Sequence, residues 1–167
     1  PRTTNIIVDP RDSRTIWAGI EVDGVYKSLD GGDTWVHLPD LGPDPFQGDI
    51  HGRALRPGRT TSIFCTSPFG IATSTDEGES WEIISGDLTR NDLDKQGLSG
   101  GPVSVDAGMI ETYCTIFAFI ESPHEKGVFW AGSDDGLVHL SRDGGENWED
   151  VTPPDLPTWS MVHMIEA

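Results

Sequence analysis

Three eight-residue segments of this chain are copies of one another. They are Ser28–Trp35 (SLDGGDTW), Ser74–Trp81 (STDEGESW) and Ser141–Trp148 (SRDGGENW), with the shared pattern S-x-D-x-G-x-[T/S/N]-W. The match extends upstream. Pro10, Pro57 and Pro123 each precede by seven residues an aromatic, namely Trp17, Phe64 and Trp130. From aromatic to motif Ser is 11, 10 and 11 residues, and Gly24, Gly70 or Gly136 opens the intervening strand. Repeats of this period mean that one supersecondary unit is stacked several times, because a single unit cannot bury its own apolar face.

Each unit reads as four short strands. The first holds Asn5–Asp9, Thr15–Ile20, Gly24–Ser28 and Thr34–Leu38. The second holds Asp49–Arg56, Ser62–Thr66, Gly70–Ser74 and Ser80–Ile84, and the third Thr115–Glu121, Val128–Gly132, Leu137–Ser141 and Asn147–Val151. β-branched and aromatic residues between turn signals favour strand over helix, and 20 Gly with 12 Pro supply many turns. Trp159–Ile165 reads as the inner strand of a fourth unit. The expected fold is all-β. Unit 1 spans residues 4–40, unit 2 residues 48–86 and unit 3 residues 113–153, with an insertion at 87–112 and one further strand at 158–167.

The motif has a physical logic. Asp30, Asp76 and Asp143 sit where a side chain accepts hydrogen bonds from turn amides, as in an Asx-turn. Gly32, Gly78 and Gly145 supply positive φ, which costs glycine little. Trp35, Trp81 and Trp148 fold back over the turn with an N–H that seeks a carbonyl. Ser28, Ser74 and Ser141 open the turn. All twelve residues staple a hairpin, and the mechanism leaves no residue over for catalysis or metal.

Composition narrows the partners. With 11 basic and 28 acidic residues the net charge is −17. A nucleic-acid binder needs a basic face to displace counterions from phosphates, so nucleic acid is excluded. An anionic membrane surface is disfavoured equally, and no apolar run reaches the ~20 residues of a membrane span. The chain starts at Pro1 and reads as a processed or excised piece, which leaves localisation open between cytoplasm and a secreted or periplasmic site.

At these residues the chain resembles the Asp-box, or BNR, repeat proteins, whose β-propellers include sialidases, sortilin-type receptors and xyloglucan-cleaving glycosidases. The resemblance runs through all three units. It is nearest the sortilin-like group at Ile84–Asp92 (ISGDLTRND) and at Ser122–His139 (SPHEKGVFWAGSDDGLVH). It implies three four-stranded antiparallel blades of a larger ring. Propellers close with about 4–8 blades, so the remaining blades come in cis, or from a homo-oligomer partner, or the three pack as an open wedge.

The resemblance also implies a division of faces, with the motif turns on one and binding loops on the other. Candidates on the loop face are Glu21, Asp23, Phe46, Asp49, His51, Phe69, Arg90, Asp134 and Asp135. The insertion at 87–112 is a second place where function could reside. A sialidase is disfavoured, because only two Tyr are present and the arginines are scattered. A glycosidase needs one raised-pKa acid and one ionised carboxylate, and Asp23, Asp49 and Asp134 are the candidates, although solvated loop acids are common at this charge. His37, His51, His124, His139 and His163 show no zinc-like spacing. No metal and no cofactor are expected. Cys65 and Cys114 form no CxxC pair, and whether they join stays open. Trp17, Phe64, Phe117 and Trp130 are assigned to blade contacts, and Phe46, Phe69 and Trp159 are the aromatics available to stack on sugars. The leading expectation is a non-catalytic propeller module that binds protein or glycan. The alternative is part of an Asp-box glycoside hydrolase.

Overall fold

The computed structural model describes residues 3–21, 23–42, 49–56, 62–68, 70–97 and 113–166, with residues 52–56 described as backbone. The fold is all-β, and the described residues form three four-stranded antiparallel sheets. The first is β1 (Thr3–Asp9), β2 (Asp12–Ile20), β3 (Gly24–Ser28) and β4 (Val36–His37). The second is β5 (Gly52–Arg56), β6 (Ser62–Ser67), β7 (Gly70–Ser74) and β8 (Glu82–Ile83). The third is β9 (Ile116–Glu121), β10 (Phe129–Ser133), β11 (Val138–Ser141) and β12 (Glu149–Asp150). Each sheet is a meander of sequential neighbours, and β5 lies between β1 and β9. The first strands therefore stand side by side.

The fourth strands are shorter than the sequence suggests, at two residues each. The cause is local. The amides of Thr34, Ser80 and Asn147 donate to the motif carboxylates at 2.9 Å, so those residues belong to the turn and not to the ladder. A second expectation is corrected. Residues 159–165 form no strand. Their alternating pattern suits one, but a strand needs a ladder partner. What they have is two tethers, Trp159 N–H to Asp135 O at 3.2 Å and Val162 N–H to Ser133 O at 2.9 Å.

The core lies between sheets. Trp17, Val25, Leu38 and Leu41 of blade 1 meet Ile50, Ile63, Cys65 and Ala72 of blade 2. Trp17 is fully buried, and its indole N–H reaches Glu77 O at 3.2 Å. Lys27 spans the same joint, with Nζ 2.7 Å from Glu77 Oε2. Between blades 2 and 3, Ile71 and Leu88 pack on Ile116 and Ala131. Phe64 meets Phe119 and Phe129 there, with ring centroids 5.0 and 5.3 Å apart. Phe117 and Trp130 are only half-buried. Gly145 shows how tight the joint is. It sits at φ +100°, and a Cβ there would lie 2.8 Å from Ile84 O. Cys65 and Cys114 are both buried, and no disulfide joins them.

Candidate functional site

Each blade has two ends, and the first is the motif turn. In blade 1 the Ser28 hydroxyl donates to Asp30 Oδ1 at 2.8 Å while accepting from Gly32 N–H at 2.9 Å. Asp30 Oδ2 accepts from the Thr34 hydroxyl at 2.5 Å. Blade 2 repeats this with Ser74, Asp76, Gly78 and Ser80. Blade 3 repeats it with Ser141, Asp143, Gly145 and Asn147. Hydrogen bonds to the ionised form, first those from Thr34, Ser80 and Asn147, lower each of the three carboxyl pKa values to about 2. Trp35 Nε1–H caps Gly32 O at 2.9 Å. Trp148 Nε1–H is shared between Gly145 O and Ile84 O of blade 2. Trp81 packs on the first core cluster. Each motif carboxylate has its partners within four residues in sequence, whereas the Trp81 indole N–H is buried with no hydrogen-bond partner among the described residues.

The other end differs from blade to blade. In blade 1 Glu21 is buried, whereas Asp23 is exposed and accepts the Tyr26 hydroxyl at 2.9 Å. His37 Nε2 lies 3.0 Å from Asp23 O, so Asp23 completes a hairpin. In blade 2 Asp49 and His51 have side chains only 9% and 6% exposed, with Asp49 Oδ2 3.1 Å from His51 Nε2. Asp49 Oδ1 is buried and has no hydrogen-bond partner among the described residues. The His51 ring leans on Phe117 at 5.3 Å. Phe46 and Phe69 lie outside the described residues.

Blade 3 carries the densest arrangement. Asp134 Oδ1 accepts from both Cys114 N–H at 3.0 Å and Thr115 N–H at 2.9 Å, which ties the hairpin to the start of β9. Burial pushes the Asp134 carboxyl pKa up, and the neighbouring Asp135 charge adds to this. The two amides and His51 oppose the rise. Asp135 is fully buried. It accepts from the Ser133 hydroxyl and from Arg90 N–H, the latter at 2.7 Å. Arg90 Nε–H also donates to Asp135 O at 2.9 Å. The insertion thus begins with an anchor to blade 3, followed by a 3-10 turn at Leu93–Lys95.

Of the residues expected on the loop face, the structure brings together Arg90, Asp134 and Asp135, with His51 close enough to act on Asp134. Asp23 does not join them through any hydrogen bond or ion pair. Cys114 and Thr115 are contacts of this cluster that the sequence does not single out, and Ser133, at the start of the blade 3 inner loop, joins them. Ser133 carried a signal, since Ser133-x-Asp135 repeats the Ser-x-Asp of the motif. A cavity of about 550 Å³ beside the first strands is lined by Thr4, Asn5, His51, Phe117 and His163 among others. A larger cleft of about 760 Å³ runs between blades 2 and 3 beside the third motif turn, and none of the buried acids lines it. Among the described residues no group of three or more His, Cys, Asp or Glu is placed to hold a metal ion. No helix there is long and apolar enough to cross a membrane.

No family model matches the chain. Two curated proteins are similar to it. The oligoxyloglucan-reducing end-specific xyloglucanase of Emericella nidulans is 24% identical, with 89% of this chain and 19% of that protein covered. The probable oligoxyloglucan-reducing end-specific xyloglucanase of Neosartorya fischeri is 25% identical over the same shares. Among solved structures, an ancestral GH74 enzyme superposes with a TM-score of 0.64 at 19% identity, covering 95% of this chain and 19% of that one. The GH74 xyloglucanase from Xanthomonas campestris gives 0.63 at 18% identity, covering 90% and 21%. The chain therefore spans about a fifth of the length of these proteins. The fold is that of β-propeller blades, of the kind found in glycosyl hydrolases.

Proposed function

We propose that this chain is a three-blade part of a glycoside hydrolase propeller, and that its loop end forms one wall of a glycan cleft. The observation that carries the reading is Asp134, a buried carboxyl with a raised pKa at the end of the blades away from the motif turns. A general acid for glycoside cleavage needs that property, because it must hold its proton until the leaving oxygen takes it. The similarity to xyloglucanases supports a β-glucan such as xyloglucan as the substrate class. The second carboxylate of the pair comes from Asp49 or from a further blade. The repeated turns are Asp-boxes in this reading.

Further blades in cis, or a second copy, fit the free face of blade 1. Trp148 shares its indole N–H with the carbonyl of Ile84 in the preceding blade, whereas its repeat equivalent Trp35 has only Gly32 and is 39% exposed. Ile6, in the same sheet, is 62% exposed.

One observation favours a second reading, a glycan-binding module without catalysis. Asp134 Oδ1 holds two backbone amides, and Asp135 is committed to Ser133 and Arg90. Carboxylates used this way support the fold. A panel of xyloglucan oligosaccharides and chromogenic glycosides separates the two. Turnover abolished by Asp134→Asn supports the hydrolase, binding without turnover supports the module, and failure to bind any neutral glucan contradicts both.

A further inference from the structure

Among the described residues, four other than glycine have positive φ: Glu77, Asn91, Cys114 and Trp159. An L side chain in this region is strained, and such residues persist only where their surroundings over-determine them. Glu77 lies in a motif turn. The other three converge on the Asp134–Asp135 hairpin. Asn91 follows Arg90, whose N–H binds Asp135 Oδ2. Cys114 N–H binds Asp134 Oδ1. Trp159 N–H binds Asp135 O.

Trp159 is the most unusual of them. Its φ is +68°, and its backbone crosses Gly136 so closely that a Cβ on that glycine would lie 3.2 Å from Trp159 N. A bulky aromatic held in a glycine conformation would be understandable if it filled the core. It belongs to neither core cluster. Its ring meets Tyr113, centroids 5.3 Å apart and planes 76° apart, and Lys95 Nζ lies 5.6 Å from its centroid. Tyr113 is 45% exposed. A half-buried Trp159 ring, an exposed Tyr113 ring and an exposed ammonium are thus held together one hydrogen bond from the buried acids.

We propose that Trp159 and Tyr113 form a stacking platform for a neutral pyranose, with Lys95 donating to its hydroxyls. The apolar C–H face of a hexose packs on an aromatic ring as other apolar surface does, and the hydroxyl rim asks for donors at the ring edge. The −17 charge of the chain favours a neutral sugar over an acidic one. The inference rests on the glycan-cleft reading above and names the subsite next to Asp134.

Glycine is the variant of choice at 159, because it removes the ring and suits φ +68°. Calorimetric titration with a xyloglucan oligosaccharide is run on the wild-type chain, Trp159→Gly and Tyr113→Ala, with thermal melts of each. The platform predicts at least a tenfold loss of affinity in Trp159→Gly with an unchanged or raised melting temperature. It predicts a smaller loss in Tyr113→Ala, and near-recovery in Trp159→Phe. Wild-type binding that Trp159→Gly retains would overturn the platform and leave the cleft reading standing. A wild-type chain that binds no neutral glucan overturns both.

Discussion

The same side-chain device appears at both ends of blade 3 and is used differently. At the motif turn, the Ser141 hydroxyl donates to Asp143 and accepts from Gly145 N–H, and Asp143 then takes the Asn147 amide four residues on. At the loop end, the Ser133 hydroxyl donates to Asp135 and accepts from Leu137 N–H at 3.1 Å. Asp135, however, does not close its own hairpin. Its second oxygen takes the amide of Arg90, 45 residues away. The first arrangement is local and leaves its carboxylate facing solvent, so it recurs wherever a hairpin must turn. The second is buried and long-range, so it joins the insertion and the last residues to a single blade. One end repeats because each hairpin closes itself. The other varies because each blade is joined there to a different segment.

That contrast sets the order of the expected effects. Asp135→Ala should cost most, about 3 kcal/mol, because Arg90 N–H and the Ser133 hydroxyl both lose their acceptor in a buried place. Hydrogen exchange should then rise at residues 88–96 while the motif turns stay protected. Uniform loosening of all three blades would break the distinction. Gly145→Ala should follow at about 1–3 kcal/mol, from strain at φ +100° and contact with Ile84 O. Gly144→Ala, with nothing near its Cβ, bears the conformational strain alone and should cost less in a denaturant titration. Trp148→Phe removes the indole N–H shared with Ile84 O and should cost about 1 kcal/mol. The same change at Trp35 should cost less, since no second blade accepts from it.

The smallest effects concern pH, and the two ends carry opposite signs. Asp30, Asp76 and Asp143 have pKa values lowered to about 2 from an ordinary 3.8. Their contribution is full above the ordinary value and is lost as pH falls through about 2. Asp134 is raised by burial, so its contribution is present below the ordinary carboxylate value and is lost as pH rises through its own pKa. Asp143→Asn should therefore flatten the acid limb of a stability–pH curve, and Asp134→Asn the limb above it. Identical changes in both variants would contradict the assignment.

The legible parts of the molecule were the periodic ones. The motif appears three times in fixed register, and its residues interact within eight positions, so spacing alone places the hairpins. The β3, β7 and β10–β11 strands follow from the same register. The short β4, β8 and β12 were less legible, because the strand pattern begins at Thr34, Ser80 and Asn147 while the carboxylates claim their amides. The joint between Arg90 and Asp135 leaves no trace in the sequence, since it spans 45 residues and occurs once. Trp159–Ile165 misled for a related reason. Alternation of apolar and polar residues is a strand signal only when a neighbour exists to pair with. Burial likewise could not be read for Asp134 and Asp135. Among 28 acidic residues, nothing in the sequence marks the few that lose their water.

In the proposed reading the motif ends hold the blades and the loop end of blade 3 meets the glycan. The most direct measurement is an amide NMR titration of the intact chain with a xyloglucan oligosaccharide. Perturbed resonances confined to residues 90–96, 113–115, 133–136 and 159 would agree with the claim. Perturbations centred on 28–35, 74–81 or 141–148 would contradict it and place the binding face at the other end of the blades.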